Sequence, residues 1–155
     1  MKIQIRPATI HDFPAAGAIM RQVQQLHIDW RPDIYKQCET VLPLEEFEQA
    51  VHDQTFFVAE YEGRVAGILF IIYRHIECTT QVTRDVIYVE AMAVDEAYRR
   101  KGIGHAFFDF LKELKAQKGL DGIELQVNAR NEAACKMYTA YGFTNKSINM
   151  ELLSE

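Results

Sequence analysis

The chain concentrates positive charge and glycine in one short stretch, YRRKGIG, over residues 98–104. Arg99, Arg100 and Lys101 run directly into Gly102 and Gly104. If a helix begins here, its first amides lack partners and carry about half a positive charge. Glycine omits the side chains that would keep a phosphate from those amides, and the cations add charge and donors. The pattern predicts an anion site, most naturally for a phosphate or diphosphate; a solvated loop with a simple turn is the alternative.

Two common phosphate-binding motifs do not fit this stretch. A P-loop needs GxxxxGK followed by Ser or Thr, which the sequence lacks. A dinucleotide fingerprint needs a third glycine, but Phe107 occupies that position. The acid expected about twenty residues later is also missing, because Asp121 precedes a predicted strand instead of ending one. The sequence therefore disfavours both nucleotide motifs.

The elements on either side would hold this stretch in place. Residues 86–94, VIYVEAMAV, predict a strand, and residues 102–118 predict a helix that Gly119 ends. The helix carries an apolar stripe that should pack on a sheet and fix its glycine end. The stripe consists of Ile103, Ala106, Phe107, Phe110, Leu111 and Leu114.

The rest of the chain alternates predicted strands and helices. Strands are predicted at residues 2–6, 55–61, 64–77, 122–127 and 143–153. Helices are predicted from Thr9 or Asp12 to about His27, and over residues 43–53 and 131–141, with residues 29–42 irregular. This order indicates an α/β (α+β) fold with a mixed sheet and helices on its faces, in a single domain over residues 1–155.

The bulk composition narrows the class of protein. Seventeen Lys and Arg against 22 Asp and Glu give a formal net charge of −5, which argues against nucleic acid as a partner. The sequence has no apolar run of the ~20 residues that a membrane span needs, and no cleavable leader pattern. Three scattered cysteines fit a reducing compartment, so we expect a cytoplasmic protein. The five histidines show no ligand spacing, and we expect no metal site.

Two stretches resemble landmarks of the GCN5-related N-acetyltransferases (GNAT family). AVDEAYRRKGIGHAFFDFL is similar to the family's acyl-CoA-binding motif, which places Arg or Gln, two residues, Gly, any residue, and Gly or Ala in sequence. NEAACKMYTAYGF is similar to the second landmark. The matching residues are Arg99, Gly102 and Gly104, then Asn131, Ala134, Tyr138, Gly142 and Phe143. The resemblance covers residues 88–143 and implies a mostly antiparallel central sheet flanked by helices.

The resemblance implies acetyl-CoA as co-substrate. Its diphosphate would bind the amides of residues 100–105, and its pantetheine arm would pair with the backbone of the strand before them. Asn131, at the start of the last predicted helix, would form a hydrogen bond with the cofactor. The cofactor-binding residues so implied are Met92, Val94, Arg99, Arg100, Lys101, Gly102, Ile103, Gly104, His105 and Asn131.

Tyr138 and Glu90 are the catalytic candidates. Tyr138 shares a helix face with Asn131, and a phenol there can protonate the departing thiolate, the role that the family gives this tyrosine. Its alternative is an aromatic core residue. Strand alternation from residue 86 to residue 94 predicts that Glu90 shares one face with Val86, Tyr88, Met92 and Val94, and family members often carry a base at this position. Its alternatives are a surface glutamate or an ion pair with Arg74 or Arg84.

The remaining catalytic expectations concern the route of transfer. The resemblance implies that a backbone N–H near Met92 would stabilise the oxyanion, with a bulge in the strand there as in the family. A covalent route through Cys135 is conceivable, but a small buried thiol is the favoured interpretation. We therefore expect direct attack of the amine in a ternary complex.

The acceptor side is the least specific part of the sequence. Residues 26–36, LHIDWRPDIYK, occupy the family's acceptor region, and His27, Trp30 and Tyr35 could hold a cationic amine there. A packed connector is the alternative. The expected activity is N-acetylation of a primary amine on a small molecule or protein; the alternative is a module of the same fold that senses acyl-CoA without turnover. A homodimer is compatible with either.

Overall fold

The computed structural model describes residues 2–154. Its strands are β1 (Ile3–Pro7), β2 (Phe56–Tyr61), β3 (Arg64–Cys78), β4 (Gln81–Val94) and β5 (Gly122–Leu125). Its α-helices are α1 (Phe13–Trp30), α2 (Leu44–His52), α3 (Ile103–Lys118) and α4 (Glu132–Ala140). The strands lie in chain order in one sheet; β1 to β4 are antiparallel and β5 runs parallel to β4. The mixed, mostly antiparallel sheet is confirmed.

Helices cover both faces of the sheet. On one face, the apolar stripe of α3 packs against β3 and β4, with Phe107 and Leu111 fully buried against Leu69 and Ile87. On the other face α1 and α2 cover β2 and β3, where the Phe47 and Phe56 rings meet edge to face at 4.9 Å. Within residues 2–154, no helix is long and apolar enough to cross a bilayer.

The prediction of a last strand over residues 143–153 is wrong. The described residues after α4 form no helix or strand, and Ile148, Met150 and Leu152 are largely exposed. The alternating pattern fits a strand, but a strand also needs a neighbour for its backbone, and none of the five strands pairs with this segment. The other elements are as predicted, except for their ends. The longest extensions are at β4, which starts at Gln81, and α1, which continues to Trp30.

Gly67 lets α3 lie close to the sheet. It faces Val94 across the β3–β4 ladder. A Cβ at Gly67 would lie 3.0 Å from the Ile103 Cγ2 and from the Phe107 Cε2, and 3.1 Å from the Ala93 carbonyl oxygen. Since Ile103 opens α3, this contact positions the start of that helix, where the sequence predicts the anion site.

We expect Gly67→Ala to lower the free energy of unfolding by about 1–3 kcal/mol, because the added methyl overpacks a tight contact. Urea unfolding followed by circular dichroism measures the change. Gly17→Ala is the matched control: it also lies buried, but its Cβ would meet only the Arg21 Nη1, at 3.6 Å, and helix propensity favours alanine there. An unchanged midpoint for Gly67→Ala would contradict the close contact.

Candidate functional site

The cation–glycine stretch forms the start of α3, as predicted. β4 ends at Val94, and a short turn follows in which the Ala97 amide donates to the Asp95 Oδ1 at 2.9 Å. Arg100 and Gly102 both adopt the left-handed conformation, with φ of 63° and 88°. The helix then begins at Ile103 with no side-chain cap.

The amides of residues 100–105 are free to bind a ligand. Within the described chain none of them donates a hydrogen bond, and the first that does is Ala106, to the Gly102 carbonyl at 3.0 Å. A Cβ at Gly104 would meet the Met137 Sδ at 3.5 Å, an ordinary contact. The backbone at the helix start therefore has unpaired amides and no side chain at Gly104, and it carries the positive end of the helix dipole.

The cations beside these amides are exposed. Arg99, Arg100 and Lys101 form no ion pair with any residue between 2 and 154, and the Lys101 Nζ lies 5.8 Å from the Tyr61 ring centroid. Their charge is available to an incoming anion. The structure thus brings together the three features of the predicted anion site. These are the unpaired amides, the glycines without side chains, and the cations without ion-pair partners.

β4 has an open edge next to this site. β5 pairs with β4 only from Val86 to Val89, whereas β3 continues to pair with β4 as far as Val94. β5 ends at Leu125, the partner of Val89, so its pairing with β4 stops there. The edge of β4 that carries Met92 and Val94 is left without a strand partner on that side within the described residues, and its backbone can pair with an extended ligand.

Glu90 forms a bulge at the point where β5 stops pairing. Phe70 faces Ala91 and Ile71 faces Val89, so Glu90 is the extra residue. The sequence-based expectation placed a bulge near Met92; the structure has it two residues earlier.

The bulge changes which side chains share a face. Ile87 and Val89 pack with the α3 side of the core, and so do Met92 and Val94 beyond the bulge. Ala93 packs on the opposite side. The expectation that alternate residues from position 86 to position 94 point the same way is therefore wrong.

The Glu90 side chain is exposed, and it forms no ion pair with the described residues. The two arginines proposed as its partners are engaged elsewhere. Arg84 binds Glu124 at 2.6 Å, and the Arg74 guanidinium lies 3.7 Å from the Tyr88 ring centroid. A carboxylate that is free and exposed at a bulge can accept a proton directly or through water.

Tyr138 lies on α4, which packs against the start of α3. Its ring is 5.6 Å from the Phe108 ring and 5.7 Å from the Phe143 ring. Burial first, and the nearby Cys135 second, raise the pKa of the Tyr138 hydroxyl above its usual range. The phenol is therefore protonated at neutral pH and able to donate.

Asn131 caps α4: the Ala134 amide donates to its Oδ1 at 3.2 Å. Its side-chain NH₂ is left as the donor. Contacts between α3 and α4 bring this helix to the predicted anion site, since His105 and Tyr141 rings lie 4.7 Å apart.

Phe108 is a residue that the sequence reasoning missed. Phe108 lies outside the predicted apolar stripe, yet it is 2% exposed and contacts three aromatic rings of the second landmark. Its centroid lies 4.1 Å from that of Tyr141, besides its contacts with Tyr138 and Phe143. Phe108 therefore holds the candidate acid in place. The sequence feature that could have indicated this role is the position of Phe108 one helical turn after Gly104, which places both residues on the same side of α3.

The three acceptor-side candidates lie together. The His27 ring centroid is 5.8 Å from that of Trp30 and 4.8 Å from that of Tyr35. All three side chains are half-buried, and Trp30 is not part of either core cluster. Burial lowers the pKa of the His27 imidazole, which is therefore neutral at physiological pH.

Two arginines fix the loop that follows α1. The Arg130 Nη1 donates to the Trp30 carbonyl oxygen at 2.6 Å, from the loop before α4. Arg31 binds Asp33 at 2.7 Å and also binds Glu151 in the C-terminal segment. The aromatic cluster therefore has a defined shape. No sequence pattern indicates the Arg130 and Glu151 contacts, because each joins residues more than 90 positions apart.

Comparison with known proteins identifies the class to which this fold belongs. The chain belongs to the acetyltransferase (GNAT) family, whose model matches residues 20–143. The BH1408 protein of Bacillus halodurans, solved as a mutant, superposes with a TM-score of 0.87 at 25% identity, covering 98% of this chain and 99% of that one.

Curated relatives match shorter stretches. Streptothricin acetyltransferase of Escherichia coli is 32% identical over 66 residues, 43% of this chain and 38% of the relative. [Ribosomal protein bS18]-alanine N-acetyltransferase of Escherichia coli (strain K12) is 35% identical over 69 residues, 44% of this chain and 47% of the relative. The chain thus spans less than half the length of these two relatives.

Proposed function

We propose that the protein is an N-acetyltransferase that uses acetyl-CoA to acetylate a primary amine by direct attack in a ternary complex. One observation carries the proposal: the unpaired amides at the start of α3, beside three free cations, adjoin the open edge of β4. A diphosphate suits the first feature, and an extended amide-containing arm suits the second. Acetyl-CoA contains both groups, and family membership supports the assignment.

The residues present fit this co-substrate. The amides of residues 100–105, with Arg99, Arg100 and Lys101, would bind the diphosphate by charge-assisted hydrogen bonds. The backbones of Met92 and Val94 would pair with the pantetheine arm. The NH₂ of Asn131 would donate from the start of α4. When bound, acetyl-CoA supplies the activated thioester.

Tyr138 would act as the general acid. Its hydroxyl is held protonated by the buried surroundings of its ring, so it can donate to a sulfur as negative charge develops there. Phe108 and Phe143 restrict the ring from two sides and keep the donor in one orientation.

Glu90 would act as the general base. An alkylammonium has a pKa near ~10 and cannot attack until it loses a proton. Glu90 stands at the bulge, one residue beyond the last pair between β4 and β5 and two residues before the strand edge that would hold the pantetheine arm. The backbone N–H near Met92 would then stabilise the oxyanion.

His27, Trp30 and Tyr35 would receive the acceptor amine. Aromatic faces attract a cation, and the half-buried cluster offers three of them. The names of the two relatives give streptothricin and an alanine of ribosomal protein bS18 as substrates, which supports an amine on a small molecule or on a protein.

Release of free thiol from acetyl-CoA tests this function. The purified protein is given polyamines, aminoglycosides, streptothricin, lysine peptides and peptides with free N-termini, one class at a time. We expect acceptor-dependent thiol release with at least one class. Tight acetyl-CoA binding without release across the whole panel would instead favour the sensing module. Binding of ATP or NAD that acetyl-CoA fails to displace would exclude both.

A further inference from the structure

The face of the sheet opposite α3 is only partly covered. The helices α1 and α2 pack there against Ile68 and Phe70 of β3. Side chains alternate between the two faces of a strand, so Ile72 and Arg74 lie on this same face further along β3. Neither belongs to a core cluster: Ile72 is half-buried and Arg74 is exposed. Beyond Phe70, this face is therefore accessible at Arg74.

An aromatic ring holds Arg74 in place on this face. Its guanidinium carbon lies 3.7 Å from the centroid of the Tyr88 ring. Tyr88 pairs with Ile72 across the β3–β4 ladder, which places the ring on the same face. A stacked guanidinium keeps its N–H donors in its own plane, where they can bind a carboxylate through two parallel hydrogen bonds. The Tyr88 ring therefore orients Arg74 without occupying its donors.

The charge of Arg74 has no partner in the described chain. Arg74 forms no ion pair with any residue between 2 and 154. Glu124 lies on the same face, since it pairs with Tyr88 from β5, but both Arg84 and Lys146 bind it. The chain as a whole carries −5, yet this part of the sheet keeps a free guanidinium.

Glu90, the candidate base, lies on the same face as Arg74. Val89 and Met92 both pack on the α3 side of the core, so the exposed side chain of Glu90, at the bulge between them, is directed away from α3. Glu90 follows Tyr88 by two residues, which span about 7 Å of strand. A free guanidinium over the Tyr88 ring and a free carboxylate thus stand about two residues apart on one face.

We propose that Arg74 is a specificity-determining residue that selects acceptors with a carboxylate a few bonds from the amine. This assignment rests on the function proposed above, in which Glu90 deprotonates the amine. An amine at Glu90 leaves the rest of the acceptor within reach of Arg74, about 7 Å away. A carboxylate there supplies the partner that Arg74 lacks. The spacing favours ω-amino acids and peptides with an acidic second residue over α-amino acids, whose two groups are separated by a single carbon.

Acceptor pairs that differ only in charge test the assignment. One pair is δ-aminovalerate and its amide; the other is the dipeptide amide of alanine with glutamate and the same dipeptide with glutamine. The specificity constant kcat/KM of each acceptor is measured by thiol release from acetyl-CoA. We expect the wild type to prefer the carboxylate member of at least one pair by about 10–100-fold, and high salt to reduce that preference. The pair that shows it distinguishes a free amino acid from a peptide.

Arg74→Gln should raise KM for the carboxylate acceptors by about 10–100-fold, because it removes a charge-assisted contact. The uncharged acceptors and the KM for acetyl-CoA should be unaffected. Arg74→Lys should recover part of the preference, since it keeps the charge but loses the planar fork. Arg64→Gln is the matched control: Arg64 is also exposed on β3 and without an ion pair in the described chain, but it lies at the other end of the strand.

Equal use of both members of each pair by the wild type would overturn the assignment and leave the acetyltransferase function standing. An equal loss for charged and uncharged acceptors in Arg74→Gln would do the same, since it would show a structural role. A lost preference in Arg64→Gln would show that overall charge, not Arg74, attracts the carboxylate. Absence of thiol release with every amine tested would instead contradict the proposed function, and the assignment would fail with it.

Discussion

Tyr138→Phe is expected to lower the rate of acetyl transfer by about 10²–10⁴-fold, the usual contribution of a positioned general acid. The affinity for acetyl-CoA should stay the same, because the assigned cofactor contacts lie at the start of α3, on β4 and at Asn131. Turnover is measured by thiol release with the acceptor found in the amine panel, and affinity by calorimetry. The ring packs against Phe108 and Phe143, and phenylalanine preserves those contacts.

Tyr141→Phe is the matched control. Tyr141 lies three residues away on the same helical turn and also contacts Phe108. Its hydroxyl is buried and has no hydrogen-bond partner in the part of the chain that the structure describes, so its removal should leave both turnover and affinity near wild type. Retention of full activity by Tyr138→Phe would show that another group protonates the thiolate.

Gly104→Val should weaken acetyl-CoA binding by about 10–100-fold. The added side chain stands at the bare helix start and would cost one charge-assisted hydrogen bond, which contributes about 1.5–3 kcal/mol. The fold should accept the change, since a Cβ there meets only the flexible Met137 side chain, at 3.5 Å. Calorimetric titration with acetyl-CoA gives the affinity, and thermal unfolding checks the fold.

Ala116→Val controls for the cost of a β-branched residue in α3. Ala116 is exposed near the far end of the same helix, away from the glycine turn. We expect it to bind acetyl-CoA like the wild type. If Gly104→Val keeps wild-type affinity, the diphosphate does not contact the backbone at this glycine, and the assignment of the turn is wrong.

The start of α3 could be predicted because its signals are local. Charge, glycine and the apolar stripe all lie within twenty residues, and they determine a helix start without knowledge of the rest of the fold. The same holds for α4, whose cap Asn131 and following Tyr138 belong to one short motif. The order of strands and helices along the chain also followed from local patterns, whereas the sequence predicted no order of the strands within the sheet.

The bulge at Glu90 could not be predicted from the pattern. Helices cover both faces of β4, so nearly every residue in VIYVEAMAV is apolar. Without a polar face, the sequence does not show where the alternation shifts by one residue. The open edge of β4 depends on the short length of β5, which ends at Leu125, two residues earlier than the sequence analysis predicts.

Other features depend on contacts between distant parts of the chain. Gly67 lies in an ordinary strand sequence, and only the packing of α3 onto β3 shows why a larger residue is excluded. The last predicted strand has the correct alternation, but the sheet of the single chain offers its backbone no partner. The aromatic acceptor cluster could be predicted in part from the sequence. His27 and Trp30 lie one helical turn apart, although this follows only once α1 is known to reach Trp30.

Amide chemical shifts during titration with acetyl-CoA test the central claim most directly. With ¹⁵N-labelled protein, we expect the largest changes at residues 100–105, followed by Met92 and Val94 on the open edge of β4. Such a result would show the helix start and the strand edge binding one ligand. Saturable binding that leaves these amides unmoved and shifts another surface, or no binding at all, would contradict the account.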